Sequence, residues 1–156
     1  MPASKDTVRV AAAGDFADVG ALLDRFNTEY DDPTPGAEYL ARRVEELAAR
    51  GETVALLAGD GPDGVAVFRL RDYLWGDGRE AYLEELYVVP ERRGEGLGRA
   101  LLDETIRLAR EAGAVRVDLG TGENDAEARG LYESAGFTND EDEPGGPRML
   151  FYEREI

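Results

Sequence analysis

The sequence predicts an α/β domain built on one mixed sheet, and three observations predict it. Strand-like and helix-like runs follow one another as β-α-α-β-β-β-α-β-α-β. Residues 53–58 (TVALLA) and 65–70 (VAVFRL) are apolar runs on either side of a Gly/Pro/Asp turn, the pattern of an antiparallel hairpin. Strand, helix and strand then succeed one another over residues 83–119, which calls for a parallel pair joined by a right-handed crossover. A length of 156 residues suits one domain over 1–156, with its core over about 7–155.

Each element has its own warrant. Residues 7–10 (TVRV) are a short first strand. Over residues 14–30, Phe16, Val19, Leu22, Leu23 and Phe26 recur at helical spacing, with Asp15 near the start. Two prolines and a glycine in residues 31–36 end that helix. A second helix over about 37–50 aligns Tyr39, Leu40, Val44 and Leu47 and stops at Gly51. Residues 71–80 form a strand extension or a second hairpin loop, and 81–89 are the next strand. In the helix over about 97–112, Leu97, Leu101, Leu108 and Ala112 share one face. Residues 115–119 (VRVDL) are a strand. A short helix over 124–135 has Asn124 as N-cap and Gly136 as stop. After an acidic loop over 138–147, residues 149–152 are expected to form the last strand.

Composition narrows the chemistry. Without cysteine there is no disulfide and no thiolate metal site, and a cytoplasmic location is expected. Without histidine, the usual general base and nucleophile pairs are excluded, and acid–base work falls to carboxylates, tyrosine, water or substrate. No metal is implied. No apolar run is long enough to cross a membrane, and residues 1–10 carry no signal-peptide pattern. The formal charge of −16 argues against nucleic acid and anionic membranes and favours cationic partners such as amines. The same charge fits simple solubility or a salty cytosol, since arginine nearly replaces lysine, and composition leaves these readings open.

The informative stretch is Arg92-Arg93-Gly94-Glu95-Gly96-Leu97-Gly98, between a strand and a helix. Alternate glycines remove the Cβ atoms that keep a ligand off the backbone. The helix that follows aims unpaired amides and its positive dipole end at the loop, as a phosphate or pyrophosphate site requires. The dinucleotide fingerprint fails because position 99 is Arg99, and the nucleotide-hydrolase loop fails because the only lysine is Lys5.

What remains, Arg93-x-x-Gly96-x-Gly98 after Leu86-Tyr87-Val88-Val89-Pro90, resembles the coenzyme A site of the GNAT superfamily of N-acetyltransferases. A second block, Asn124 to Phe137 with Ala128, Leu131, Tyr132 and Gly136, resembles the family's Asn-x-x-Ala-x-x-Leu-Tyr-x-x-x-Gly-Phe element, offset by one residue between Asn and Ala. The element order fits over nearly the whole chain. The resemblance implies a mostly antiparallel central sheet whose parallel pair splays at the coenzyme A site, with helices on both faces. It implies acetyl-CoA as cosubstrate and direct transfer, in a ternary complex, to a primary amine of a small molecule. Protein or peptide acetylation and a non-catalytic acyl-CoA-binding module stand as alternatives.

Residue by residue, the resemblance assigns the pyrophosphate to Arg93, Gly94, Gly96, Leu97 and Gly98, and the pantetheine arm to the backbone of Leu86, Tyr87 and Val88. Asn124 bonds the arm or the phosphates, or serves only as N-cap. Tyr132 is the acid that protonates the departing thiolate. Glu85, with Glu84 in reserve, is the base that acts on the amine through water. Regular strand alternation lets only one of those two carboxylates face the cleft. Exposed edges and Tyr73-Leu74-Trp75 make a homodimer an expectation, with Trp75 in the core or lining the acceptor pocket as the other possibilities.

Overall fold

The computed structural model describes residues 7–156. Residues 1–6, and with them most of the stretch 1–10 read as carrying no signal-peptide pattern, lie outside the described residues. The chain divides into two compact units, Met1–Leu119 and Gly120–Ile156.

The first unit is a five-stranded sheet in the order β1-β2-β3-β4-β5: β1 Val8–Val10, β2 Thr53–Ala58, β3 Gly64–Asp72, β4 Arg79–Val88 and β5 Ala114–Leu119. Neighbours from β1 to β4 are antiparallel, and β4 and β5 are parallel, as the strand–helix–strand pattern predicts. Helices α1 (Phe16–Glu29) and α2 (Ala37–Ala49) cover one face of the sheet. There Phe16, Val19, Leu22, Leu23 and Val44 pack on Ala55, Leu57, Val65, Val67, Tyr87 and Val89. The two helices approach closely at Gly20, where a Cβ would collide with the Ala37 carbonyl and the Ala41 backbone.

Helix α3 (Leu97–Glu111) lies on the other face: Gly64 alternates with core-facing Val65, and a Cβ at Gly64 would point at the Leu101 side chain. The stripe that α3 buries is Leu97, Leu101, Thr105 and Ala109 with Leu102, while Leu108 and Ala112 are half-buried at its margin. Thr105 takes a core position because its hydroxyl donates to the Leu101 carbonyl (2.9 Å), which satisfies the polar atom inside the helix. Residues 73–78 are a loop closed by Tyr73 N–H donating to the Gly78 carbonyl (3.0 Å), with Leu74 and Trp75 82% and 81% exposed. The core reading of Trp75 is therefore corrected. Among the described residues, no helix is long and apolar enough to cross a membrane.

The second unit holds α4 (Ala126–Ser134) and a loop returning on itself through the Asp140–Arg148 bridge. The expected last strand at residues 149–152 is not formed. Met149 N–H still donates to the Asn139 carbonyl (2.7 Å), but Leu150, Phe151 and Tyr152 are 70–83% exposed. An extended segment becomes a strand only where a neighbour meets its backbone groups, and the ladder with residues 139–141 ends at Met149.

Candidate active site

Pairing of β4 with β5 runs from Arg79↔Ala114 to Leu83↔Leu119 and stops there, while β4 continues to Val88. Among the described residues, one edge of β4 beyond Leu83 is therefore left without a strand neighbour. Val89 N–H donates to the Asp63 carbonyl (2.9 Å), so the backbone groups of Val89 face the β3 side. Strand alternation then turns those of Tyr87 toward β3 as well, and those of Leu86 and Val88 toward the open edge. Of the three residues assigned to a ligand arm, Leu86 and Val88 thus offer backbone at that edge. Tyr87 offers instead a buried side chain, stacked on Phe26 with ring centroids 4.8 Å apart.

A β-bulge sits in the same strand. Val67 pairs with Glu85 and Phe68 with Leu83, which makes Glu84 the extra residue. Directly opposed residues share a face, so Glu85 lies on the α1/α2 side with Val67. Glu84 lies on that side too, where its carboxylate accepts from Arg69 Nε at 2.6 Å. The expectation that only one of the two faces that side is corrected, because the bulge cancels the alternation. The two carboxylates nevertheless differ. Glu84 is exposed and paired, whereas Glu85 is half-buried. Burial, and then the Glu84 charge beside it, push the Glu85 carboxyl up to about 7.

After β4 the chain makes one 3-10 turn, Pro90–Arg92, and enters the glycine loop. Gly94 (φ +82°) and Gly96 (φ +88°) are both in the left-handed region. Gly96 is the N-cap of α3, and Ala100 N–H donating to the Gly96 carbonyl (3.0 Å) is the first intrahelical bond. The amides of Leu97 and Gly98 lie ahead of it, at the positive end of the helix.

Three arginines tie this loop to carboxylates. Arg25 pairs with Glu91 at 2.5 Å, and Arg92 pairs with both Asp63 and Glu95 at 2.7 Å. Arg93 folds back toward α1, where its Nη2 meets both Glu29 oxygens at 2.7 and 3.0 Å. Its Nε donates to the Val88 carbonyl at 3.0 Å, and its guanidinium lies over the Tyr87 ring. Tyr87 Oη completes the cluster by donating to Glu29 at 2.7 Å. Burial, then the bond to Glu29, push the Tyr87 phenol up to about 12. Burial raises the Glu29 carboxyl, but the bonds from Tyr87 and Arg93 outweigh it and leave Glu29 below its ordinary value. The cluster therefore keeps its charges through neutral pH. Sequence reading missed Glu29, Arg69 and Asp63, since each acts on a partner distant in the chain and no spacing announces it.

In the second unit, α4 ends in a Schellman motif. Phe137 N–H donates to the Tyr132 carbonyl (3.0 Å) and Gly136 N–H to the Glu133 carbonyl (3.1 Å), with Gly136 at φ +92°. Tyr132 and Phe137 meet edge to face at 6.0 Å, the apolar contact that accompanies this motif. The spacing of Tyr132, Gly136 and Phe137 also fits this helix-ending motif. At the other end, the N-cap is Asp125, whose carboxylate accepts from Ala128 N–H at 3.0 Å. The N-cap assignment of Asn124 is corrected: it lies one residue before the N-cap and is exposed.

The sequence profile of the Acetyltransferase (GNAT) family matches residues 19–137, the span that holds the open-edged strand, the glycine loop and the Tyr132 helix. The chain belongs to the GNAT acetyltransferase family. This GNAT chain is 33% identical to an aminoglycoside N(6')-acetyltransferase type 1 from Stenotrophomonas maltophilia, over 90% of this chain and 92% of that one. It is 37% identical to a mycothiol acetyltransferase from Beutenbergia cavernae over 63% of this chain, a match that spans only 35% of that longer relative. A crystal structure of a proposed acetyltransferase from Arthrobacter sp. FB24 superposes with a TM-score of 0.87 and 44% identity, over 96% of this chain and 95% of that one. The GNAT fold expected from the two sequence blocks is therefore established.

Proposed function

We propose that this GNAT acetyltransferase moves the acetyl group of acetyl-CoA to a primary amine of a small cationic molecule. The observation that carries the reading is the end of β4–β5 pairing at Leu83↔Leu119, with β4 running on to the glycine loop. An amide-bearing arm can pair with the exposed backbone of Leu86 and Val88 as a pseudo-strand. The left-handed glycines and the first-turn amides of α3 suit the pyrophosphate that follows such an arm. Acetyl-CoA supplies an activated acyl group, and the protein's work is to place it and manage protons.

In this reading Glu85 accepts, through water, the proton that an ammonium must lose before it attacks. A carboxylate with its pKa near the working pH suits that task. Glu84 is tied to Arg69, so on this face the carboxylate left to meet a cationic acceptor is Glu85. Tyr132 enters through its motif and returns a proton to the departing thiolate. No covalent enzyme intermediate is required, and with neither cysteine nor histidine in the sequence direct transfer is the simpler scheme. The family match over residues 19–137 supports reading the chain as one catalytic domain, and the cysteine-free composition supports a cytoplasmic setting. Relatives described as acting on aminoglycosides, mycothiol and thialysine support a small amine as acceptor.

The test is thiol release from acetyl-CoA in the presence of polyamines, aminoglycosides and peptide amines. Release with the small amines alone supports the proposal, and release only with peptides replaces it by the protein-acetylating alternative. Acetyl-CoA binding without release from any amine favours the non-catalytic module. Tyr132→Phe should lower kcat on the order of 10²-fold with little change in acetyl-CoA affinity. Unchanged turnover across pH would remove Tyr132 from the chemistry.

A further inference from the structure

We infer that Arg93, held by Glu29 and Tyr87, is a register stop on the open edge of β4 and not a phosphate ligand. The inference rests on the reading of that edge as the seat of the coenzyme A arm. A ligand arm paired to a strand can sit in more than one register, because backbone groups repeat every second residue. A slip of one repeat carries the arm roughly 7 Å along the strand. Such a slip would take a thioester out of reach of any group positioned to act on it. Something must therefore make one register better than the others.

The Arg93 guanidinium does this by occupying an acceptor. Leu86 and Val88 turn their backbone groups to the open edge, and Arg93 Nε already fills the Val88 carbonyl at 3.0 Å. The arm can use the N–H and C=O of Leu86 and the N–H of Val88 without meeting the guanidinium bound at the Val88 carbonyl. An arm displaced toward the loop would run into the guanidinium that stands at the Val88 carbonyl. The arginine is itself held in place. Its Nη2 is bound by both oxygens of Glu29, and its guanidinium carbon lies over the Tyr87 ring, 5.6 Å from the centroid, with the Tyr87 hydroxyl bound to the same carboxylate. A guanidinium neutralised by a carboxylate and turned onto a backbone carbonyl is poorly disposed to serve as a phosphate clamp. Glu29 and Arg93 are thus positioning residues: they act through the Val88 carbonyl and touch no reacting atom.

The two roles for Arg93 predict opposite results. The experiment measures kcat with acetyl-CoA and the affinity of adenosine 3'-phosphate 5'-diphosphate, which carries the pyrophosphate and 3'-phosphate of the coenzyme but no arm. The variants are Arg93→Met, Arg93→Lys, Glu29→Gln and the Arg93→Met/Glu29→Gln double variant. A register stop predicts that Arg93→Met lowers kcat on the order of 10²-fold, the scale of a misplaced reacting group. The nucleotide affinity should stay within about twofold, because the arm alone is displaced. Arg93→Lys should fail to rescue kcat, since an ammonium cannot hold the carbonyl and both Glu29 oxygens in one plane. Glu29→Gln should act in the same direction, and the double variant should be no worse than Arg93→Met.

A loss of nucleotide affinity of about tenfold or more, restored by lysine, would make Arg93 a phosphate ligand and overturn the stop. Wild-type kcat in folded variants would overturn it as well. Circular dichroism separates a folding failure from either result, and Arg93→Lys, which keeps the charge beside Glu29, remains interpretable if Arg93→Met does not fold. A wild-type chain that binds no acetyl-CoA would overturn the reading of the edge, and the stop with it. Wild-type binding with the reverse variant pattern overturns the stop alone.

Discussion

Replacing Glu85 by glutamine is expected to lower kcat/KM by about 10²–10⁴-fold, the usual worth of a positioned general base. Wild-type kcat/KM should fall as pH drops through about 7, where the Glu85 carboxylate takes up a proton, and the variant should lose that inflection. The same substitution should stabilise the protein at alkaline pH. Glu85 has a folded pKa raised above its ordinary 4.5, so the folded state holds this proton more tightly than the unfolded chain does. Its contribution to stability is complete below 4.5 and is lost as pH rises through about 7. After allowance for solvent screening of a half-buried group, ionising Glu85 costs about 1–3 kcal/mol at pH 8. Glutamine removes that cost, so thermal unfolding at pH 8 should rise in the variant while activity falls. A variant that is less stable at pH 8 than the wild type would contradict the buried-carboxylate account, whatever its activity.

The second large effect is at Gly96. Valine there must enter a left-handed conformation at φ +88°, which costs a β-branched residue about 1–3 kcal/mol. The N-terminus of α3 would shift to relieve that strain. Isothermal titration should then show acetyl-CoA affinity reduced by about tenfold to a hundredfold, or lost when Gly98→Val is added. Helical content should survive, because α3 is anchored by Leu97, Leu101, Leu102, Thr105 and Ala109 further along. Undiminished affinity in a folded Gly96→Val variant would mean that the glycines serve packing alone.

These two residues also mark how far the sequence could be read. Gly96 was legible because a backbone that must take positive φ leaves its trace in residue type, and because a strand and a helix flank it on schedule. The parallel β4–β5 pair was legible for a similar reason: a helix between two strands leaves little choice of topology. The special status of Glu85 was only half legible. Its acidity is printed in the chain, but the bulge that brings Glu84 to the same face is a register shift against β3, and no residue type encodes it. The Glu29–Arg93–Tyr87 cluster joins residues more than fifty positions apart and has no local pattern. The strand expected at residues 149–152 shows the opposite failure. Local propensity favoured it, but a strand is a property of two segments, and within its unit that stretch has no partner beyond Met149.

Trp75 is the only tryptophan in the chain, and its side chain stands in water at the tip of the β3–β4 loop. The brightest intrinsic fluorophore of this protein is therefore nearly deaf to the state of the core. Its emission should be that of a solvated indole both before and after unfolding, so denaturation curves need circular dichroism for their contrast. That indifference is useful for association. A blue shift that grows with protein concentration would report a second copy covering the loop. One that appears only with an amine acceptor would place the loop beside the bound acceptor.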